Sequence, residues 1–417
     1  MTTQEFIQQY REKDVRELAL QGARFPDVDL SFALDQIAGW QTARKKIPSW
    51  TTIEGITFPP RLSMEQCSSE QTARYKAALA ERLLKKQEGS HRLVDLTGGF
   101  GVDFSFLSPV FDEAVYVEQQ EHLCKIAEEN FKVLGLRQSC VVHADGIAYL
   151  LQMEHADIIY LDPARRDANG ARTFALQDCT PNILDIKDEL LQKARWVIVK
   201  LSPMLDWHKA VQELQSVVEV HVVSVGNECK ELLLVMAGKE SEQEESPMTI
   251  YCVNDKQVFT CSMEQMNEHV RIAEKIELEM FLYEPNASIM KVGCFGACAE
   301  QYGVKGIARN SHLFVSDTLI PHFPGRIFRI TAVSSMNKRE LKDALQGVKK
   351  ANVAVRNFPL KAEELRRKLK LADGGDCYLF GTTTEEGKHI ILFTISLIDS
   401  SLGLPLSKFT EKDFCLR

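Results

Sequence analysis

The sequence predicts an α/β protein whose largest part is a parallel sheet, preceded by a helical segment and followed by two smaller units of mixed strands and helices. Three observations carry this. A short β-prone lead, Leu93-Val94, ends in Asp95 and runs into a glycine cluster, Thr97-Gly98-Gly99-Phe100-Gly101-Val102-Asp103. Beyond it, β-branched runs alternate with stretches of helical apolar spacing as far as Leu201, the pattern of parallel strands joined by crossover helices. Past residue 247 strands and helices recur on a smaller scale, and basic residues crowd into the last of these regions.

Residues 1–85 read as helical. Apolar residues at Val15, Leu18 and Ala19, and again at Leu34, Ile37 and Ala38, have the spacing of short amphipathic helices that pack on the domain behind them. Ser68 with Gln71 has the form of a capping box for a helix over 71–84. Within 86–240 the first strand ends at Asp95. Gly98, Gly99 and Gly101 remove the Cβ atoms that would keep a ligand away from the backbone. Their spacing is G-G-x-G behind an acid. A dinucleotide fold needs G-x-G-x-x-G directly after an apolar strand, so a dinucleotide is poorly served. The second strand, Ala114-Val115-Tyr116-Val117-Glu118, ends in a carboxylate that either binds ribose hydroxyls or is a solvated strand end. Helical spacing at Leu123, Ile126, Ala127, Phe131 and Leu134 follows, closed by Gly135. A third strand over 140–143 runs into Ala144-Asp145-Gly146. A fourth over 157–161 runs into Asp162-Pro163-Ala164-Arg165-Arg166, and a fifth covers 196–201. Residues 218–225 and 231–237 flank Gly226-Asn227 as the arms of a hairpin.

In this order the acids, glycines and strands over residues 66–240 resemble the class I S-adenosylmethionine (SAM) methyltransferases. Five parallel strands and a closing antiparallel pair make the Rossmann-like sheet of that family; a plain dinucleotide fold lacks the hairpin. The resemblance implies roles. Asp95 faces the cationic amino group of SAM. Thr97, Gly98, Gly99, Gly101 and Asp103 form the cofactor turn, and Glu118 holds the ribose. Asp145 and Gly146, which alone would read as an ordinary turn dipeptide, lie at the adenine edge. Asp162-Pro163-Ala164-Arg165 occupies motif IV. Methyltransferases of exocyclic amines carry (Asn/Asp/Ser)-Pro-Pro-(aromatic) there; the acid or amide accepts hydrogen bonds from the target amine, and the aromatic stacks on the base. This chain has Ala164 and Arg165 where the second proline and the aromatic would stand, and a guanidinium can stack on a base or take a phosphate.

Asp-Pro-x-Arg also resembles motif IV of uracil C5 methyltransferases, which attack the base with a cysteine just after the fifth strand. Here that segment reads Lys200-Leu201-Ser202-Pro203-Met204-Leu205-Asp206, and no cysteine lies between Cys179 and Cys229. Transfer to nitrogen, or failing that to oxygen, is expected, with Asp162 as acceptor. Asp162, Pro163, Arg165 and Lys200 are the catalytic candidates; Lys200 either holds a substrate phosphate or faces solvent.

The length of 417 residues suggests roughly two to four domains. A composition that is 45% hydrophobic and 26% charged is that of a globular protein in water. No basic n-region with an apolar stretch opens the chain, and no run of about 18 apolar residues occurs, so neither a signal peptide nor a membrane helix is expected. Eleven cysteines without C-x-x-C pairs are expected as reduced thiols in the cytoplasm. Cys294 and Cys298 stand one helical turn apart, but no second pair has zinc spacing, so buried thiols and no metal are expected.

Residues 241–247 are polar and acidic and end in proline, as a linker does. Residues 248–324 read as a small ferredoxin-like α+β unit, with strands at 248–253 and 257–263 and one helix over 286–302 stopped by Gly303. In 325–417, strands at 326–330 and 353–356, helices at 338–348 and 361–371, and a closing strand pair at 377–382 and 389–396 are expected, with Asp373-Gly374-Gly375-Asp376 as a turn. This last pattern resembles THUMP-like domains, which accompany methyltransferase and other modification domains on tRNA. Between 326 and 370 there are thirteen Lys and Arg against four Asp and Glu, in a chain of net charge −8. A local basic field in an acidic protein implies a polyanion partner, here RNA (tRNA or rRNA), met by Lys349, Lys350, Arg356, Arg366, Arg367 and Lys368; the bland reading is a solvated pair of helices. The whole chain is similar to bacterial class I methyltransferases with a C-terminal THUMP-like domain. The expected activity is SAM-dependent methylation of an RNA nucleotide. A small-molecule or protein methyltransferase, and a non-catalytic SAM- or RNA-binding protein, are the alternatives.

Overall fold

The computed structural model describes residues 1–85, 89–164, 176–239, 241 and 247–398; Arg165, most of the linker and the tail beyond 398 lie outside them. The chain divides into two units, Met1–Val225 with Lys230–Met248, and Gly226–Cys229 with Thr249–Arg417.

In the first unit, β1 (Arg92–Asp95), β2 (Glu113–Glu118), β3 (Ser139–His143), β4 (Ala156–Leu161), β5 (Ala194–Leu201), β6 (Val217–Val225) and β7 (Glu228–Ala237) lie in the order β3-β2-β1-β4-β5-β7-β6. β1 pairs in parallel with both β2 and β4, β4 pairs in parallel with β5, and β7 runs antiparallel to β5. The inner strands are continuously apolar because helices cover both faces; Leu93, Val94, Ile158, Ile159, Ile198 and Val199 are all fully buried. Strand order reverses between β1 and β4. Their carboxyl ends therefore splay the following loops apart, and Asp95 and Asp162 stand on the two sides of that crevice.

The N-terminal helices share this core. Ala43, Ile47, Trp50, Phe58 and Met64 cluster with Phe100 and Val102. Trp50 meets Phe100 edge to face at 5.2 Å, so the helical segment packs on the glycine turn itself. The helix before β1 spans Glu70–Leu84. Its cap is Ser69, which accepts from the Thr72 N–H at 3.3 Å, and not Ser68, whose hydroxyl is turned inward.

In the second unit β8 (Thr249–Asn254) and β9 (Gln257–Ser262) form the expected hairpin. β10 (Phe281–Pro285), β11 (Lys305–Gly306), β12 (Phe314–Ser316), β13 (Gly325–Ser335), β14 (Lys350–Arg356), β15 (Ala372–Thr383) and β16 (His389–Ile398) build one sheet in the order β11-β12-β10-β13-β16-β15-β14. β10 pairs with β13, Leu282 opposite Phe328, and Leu282, Leu313, Phe328, Phe380 and Leu392 share a core. The change of sequence character near residue 325 is thus not a break in the sheet.

Two further expectations are corrected. The helix over 286–302 is two helices, Ala287–Val292 and Phe295–Tyr302, because Gly293 (φ 84°) takes the left-handed conformation that ends the first. Residues 373–376 are not a closing turn but a wide bulge within β15. Ala351 faces Asp373 while the next residue, Asn352, faces Tyr378. Gly374 (φ 87°) and Gly375 (φ 88°) supply the backbone the bulge needs, and Asn352 Nδ2 donates to the Gly375 carbonyl at 2.7 Å.

A Cβ on Gly293 would meet nothing within 4 Å, so only its backbone conformation resists substitution. Gly293→Ala is expected to destabilise the second unit by about 1–2 kcal/mol. Urea unfolding followed by hydrogen exchange in that unit measures it, and an unchanged midpoint would mean that the helix break does not depend on Gly293.

Candidate active site

Asp95 closes β1 and is 1% exposed. Its Oδ1 accepts from the Thr97 N–H at 2.9 Å, which turns the chain at the strand end. The Gly98 N–H donates to the Val117 carbonyl at 2.9 Å and ties the turn to the end of β2. A Cβ on Gly98 would lie 2.2 Å from the Tyr116 ring. Gly99 (φ 56°) and Gly101 (φ 80°) both need left-handed backbone. Tyr116 donates its hydroxyl to the Gly99 carbonyl. Glu118, 7% exposed, is no solvated strand end: Oε2 accepts from the Gly99 N–H at 2.9 Å and Oε1 from the Gln120 N–H at 2.8 Å. Asp145 is exposed and caps the helix Gly146–Gln152, accepting from the Ala148 N–H at 2.9 Å. A Cβ on Gly146 would lie 2.3 Å from the Leu96 carbonyl oxygen, so the loop after β3 reaches the loop after β1 only because Gly146 lacks one.

Asp162 follows β4. Its N–H donates to Thr97 Oγ1 at 2.6 Å, and its Oδ2 is 2.5 Å from Lys200 Nζ. Lys200 is 7% exposed, so it does not face solvent as one reading of the sequence had it; its ammonium is engaged by Asp162. Pro163 is buried, and Ala164 exchanges two backbone hydrogen bonds of 2.9 Å with Thr180, which fixes the segment behind Asp162.

Behind Asp162 lies a charge network that no motif announced. Lys76, on the helix Glu70–Leu84, is wholly buried. Its ammonium is 3.0 Å from Asp103 Oδ1 and 2.5 Å from Glu231 Oε2, and it donates to Ser68 Oγ at 3.1 Å. Asp103 Oδ2 accepts from Ser68 and Tyr160, both at 2.7 Å, and lies 4.0 Å from Lys200 Nζ. Asp103 was expected in the cofactor turn; its carboxylate points instead into this network. The one sequence signal for Lys76 is its place on the apolar stripe of its helix, with Ala73, Ala80 and Leu83.

Burial drives the electrostatics in both directions. It pushes the Asp95 carboxyl well above the usual range. The Thr97 N–H opposes the shift, while Asp103, Asp162 and Glu118 reinforce it. Burial pulls the same way on Asp103, but Lys76 and Lys200, with the Tyr160 and Ser68 hydroxyls, outweigh it and its pKa is lowered. For Lys200 burial favours the neutral amine, yet Asp162, Glu231 and Asp103 outweigh it and hold the ammonium charged. Asp95 has no cationic partner among the described residues. A buried carboxylate without a counter-charge, beside a turn stripped of Cβ atoms, suits a ligand that brings a cation.

Among the described residues no group of three or more His, Cys, Asp or Glu could hold a metal ion, and no helix is long and apolar enough to cross a membrane. Cys294 and Cys298 are buried free thiols; Cys294 Sγ lies 3.6 Å from Cys252 Sγ.

In the second unit the six basic candidates divide. Lys349, Lys350, Arg367 and Lys368 are exposed and form no ion pair among the described residues. Arg356 is held at 2.8 Å by the buried Glu284, which also accepts from Arg326 Nε at 2.8 Å. Arg366 pairs with Asp373.

Residues 325–394 match the family described as THUMP domain-like, and residues 281–324 match a family described as a ferredoxin-like domain. No curated protein matches the sequence. Among solved structures, a protein of Porphyromonas gingivalis W83 assigned to the methyltransferases is 31% identical, with a TM-score of 0.81 over 94% of this chain and 97% of that one. A SAM-dependent methyltransferase of Agrobacterium tumefaciens is 18% identical, with a TM-score of 0.31 over 41% of this chain and 62% of that one.

The two buried acids have opposite effects on stability. A raised carboxyl such as Asp95 stabilises the fold fully below about pH 3.9, and that stabilisation is lost as pH rises through its folded value. A lowered one such as Asp103 stabilises above about pH 3.9 and loses its contribution as pH falls. Asp95→Asn still accepts from Thr97. In urea unfolding it is expected to be more stable than the parent at pH 8 and to show no such advantage at pH 4. An advantage of equal size at both values would contradict the raised carboxyl.

Proposed function

The chain belongs to the class I SAM-dependent methyltransferases that carry a C-terminal THUMP-like domain, and from that premise we propose that it methylates a nitrogen of an RNA nucleotide, with Asp162 as the acceptor at the target. The observation that most supports this is the 2.6 Å bond from the Asp162 N–H to Thr97 Oγ1. Through it, the acid that meets the target is anchored to the turn that holds the cofactor.

The turn fits SAM. A Cβ on Gly99 would have only the Thr97 carbonyl near it, at 3.7 Å, so the backbone is open to close approach. Asp95 offers its uncompensated carboxylate to the amino group. Glu118, already oriented by two backbone N–H groups, has lone pairs left for the ribose hydroxyls. Bound SAM supplies a methyl group activated by its sulfonium. The residues of the protein contribute alignment and a proton acceptor: Asp162 takes the hydrogen bond of the target amine, turns its lone pair towards the methyl, and accepts the proton released as the new N–C bond forms. Lys200, 2.5 Å away, fixes that carboxylate. Nitrogen is favoured over carbon because the segment after β5 carries Ser202 and no thiol. Cys67, the thiol that feels Asp103 and Lys200, is pushed up by burial and is a poor nucleophile.

Gly99→Leu is expected to abolish SAM binding in calorimetry, both by filling the turn and because leucine resists φ 56°. Asp162→Ala is expected to bind SAM within about threefold of the parent and to lose methyl transfer to total cellular RNA by about 100-fold or more. Full transfer by Asp162→Ala would remove it from the reaction.

The RNA half of the reading rests on the THUMP-like region and on four of its exposed basic side chains. Phosphate contacts release counterions, so tRNA affinity should fall steeply with salt. Replacing Lys349, Lys350, Arg367 and Lys368 with alanine should reduce the log–log slope by roughly 0.7 to 0.9 for each phosphate no longer neutralised, with SAM affinity unchanged. If the fourfold variant binds tRNA like the parent at every salt concentration, these residues form only a solvated face, and a small-molecule or protein substrate becomes the better reading.

A further inference from the structure

Lys76 has no part in the cofactor turn or in the Asp-Pro segment, yet it is among the most deeply buried charges in the first unit. From it, cations and carboxylates alternate towards the reaction centre. Lys76 Nζ is 3.0 Å from Asp103, Asp103 is 4.0 Å from Lys200 Nζ, and Lys200 Nζ is 2.5 Å from Asp162. Lys200 thus stands between two carboxylates and sits on the outer one. The reason lies one step further in: Asp103 already has the ammonium of Lys76.

We propose that Lys76 is a positioning residue for methyl transfer: by compensating Asp103 it leaves Lys200 to Asp162, and so keeps the reacting carboxylate oriented. This rests on the reading of Asp162 as the acceptor.

The surrounding groups are compatible with that division. Ser68 and Tyr160 donate neutral hydroxyls to Asp103 Oδ2 and cannot replace a cation. Glu231, reaching in from β7, shares Lys76 and has Ser68 Oγ at 3.1 Å as its other partner. Asp95, Glu118 and Cys67 add no positive charge; Asp95 is pushed towards its neutral form by burial and by its acidic neighbours. Lys200 is therefore the cation left to answer Asp103 when Lys76 is neutralised. A buried carboxylate stripped of its partner is strongly destabilised, so Lys200 is drawn inward and Asp162 is released.

The test compares Lys76→Met with the double variant Lys76→Met/Asp103→Asn, which removes the charge of Asp103 as well and leaves Glu231 with Ser68 Oγ. In a crystal structure of Lys76→Met, the Lys200 ammonium is expected within hydrogen-bond distance of Asp103 and away from Asp162; in the double variant it returns to Asp162. With labelled SAM and total RNA, transfer at pH 7 is expected to fall at least tenfold in the single variant. Most of the rate returns in the double variant. Calorimetric SAM affinity changes by less than about threefold in the single variant. Lys200 still seated on Asp162 in Lys76→Met overturns the proposal, as does a double variant no better than the single one, which is what a simple structural tie would give. Should Lys76→Met fail to fold, a folded double variant with Lys200 on Asp162 supports the compensation, and an unfolded one overturns it. Failure of the underlying reading looks different: Asp162→Ala keeps its activity while the crystallographic result stands.

Discussion

Tyr116 fills the space that Gly98 leaves empty, and the conformation of the glycine turn depends on that exchange. Its ring packs edge-on against Phe104 and Phe131 in the main core, at 5.6 and 5.4 Å. Its hydroxyl reaches out of that core to the Gly99 carbonyl, and Glu118, two residues further along the same strand, takes the Gly99 N–H. One strand end thus holds both polar groups of Gly99, the residue at the centre of the turn. Because the ring is locked by packing, the turn does not wait for a ligand to acquire its shape. This kind of preorganisation lowers the cost of binding a flexible cofactor.

The second constraint is charge. Asp95, Asp103, Glu118, Asp162 and Glu231 are brought together against two buried ammonium groups, Lys76 and Lys200. Carboxylates in excess within a low-dielectric interior cannot all remain ionised at ordinary pH without a further cation. The burden falls on Asp95, the one acid of this set beside the open turn that has neither a cation nor a capped oxygen pair. Its free-state penalty is relieved by a ligand carrying positive charge. SAM carries two such centres, and after transfer its product carries one fewer. If SAM binds beside Asp95 as proposed, the same excess of negative charge favours it over what remains when the methyl group has left.

Much of this was legible in the sequence because the informative contacts are short-range. Asp95, Gly98, Gly99 and Gly101 lie within seven residues, and the strand ends at Glu118 and Asp162 are marked by the acid that breaks each apolar run. What escaped is non-local. Lys76 meets Glu231 across 155 residues, and a lysine in a polar helix reads as solvated until the fold turns that face inward. Ser68 looked like a helix cap because Gln71 stands three residues on; Ser69 has the same hydroxyl and takes that place, and the two differ only in what lies within reach of the hydroxyl. Arg356 counted as one of many surface charges, although Glu284, 72 residues earlier, holds it. The glycines misled in the other direction. Gly293 inside a helical period and Gly374-Gly375 inside a strand look like tolerated residue and turn, and the backbone uses them as break and bulge.

The pairing of β10 with β13 carries a consequence for how this architecture can be divided. The ferredoxin-like and THUMP-like regions adjoin at residue 325, but the hydrogen bonds between Phe281–Pro285 and Gly325–Ser335 cross that point and form the middle of one sheet. A cut there would leave each fragment with an inner strand whose hydrogen-bonding edge has lost its partner, and such edges recruit other chains. The basic face is therefore not a portable module.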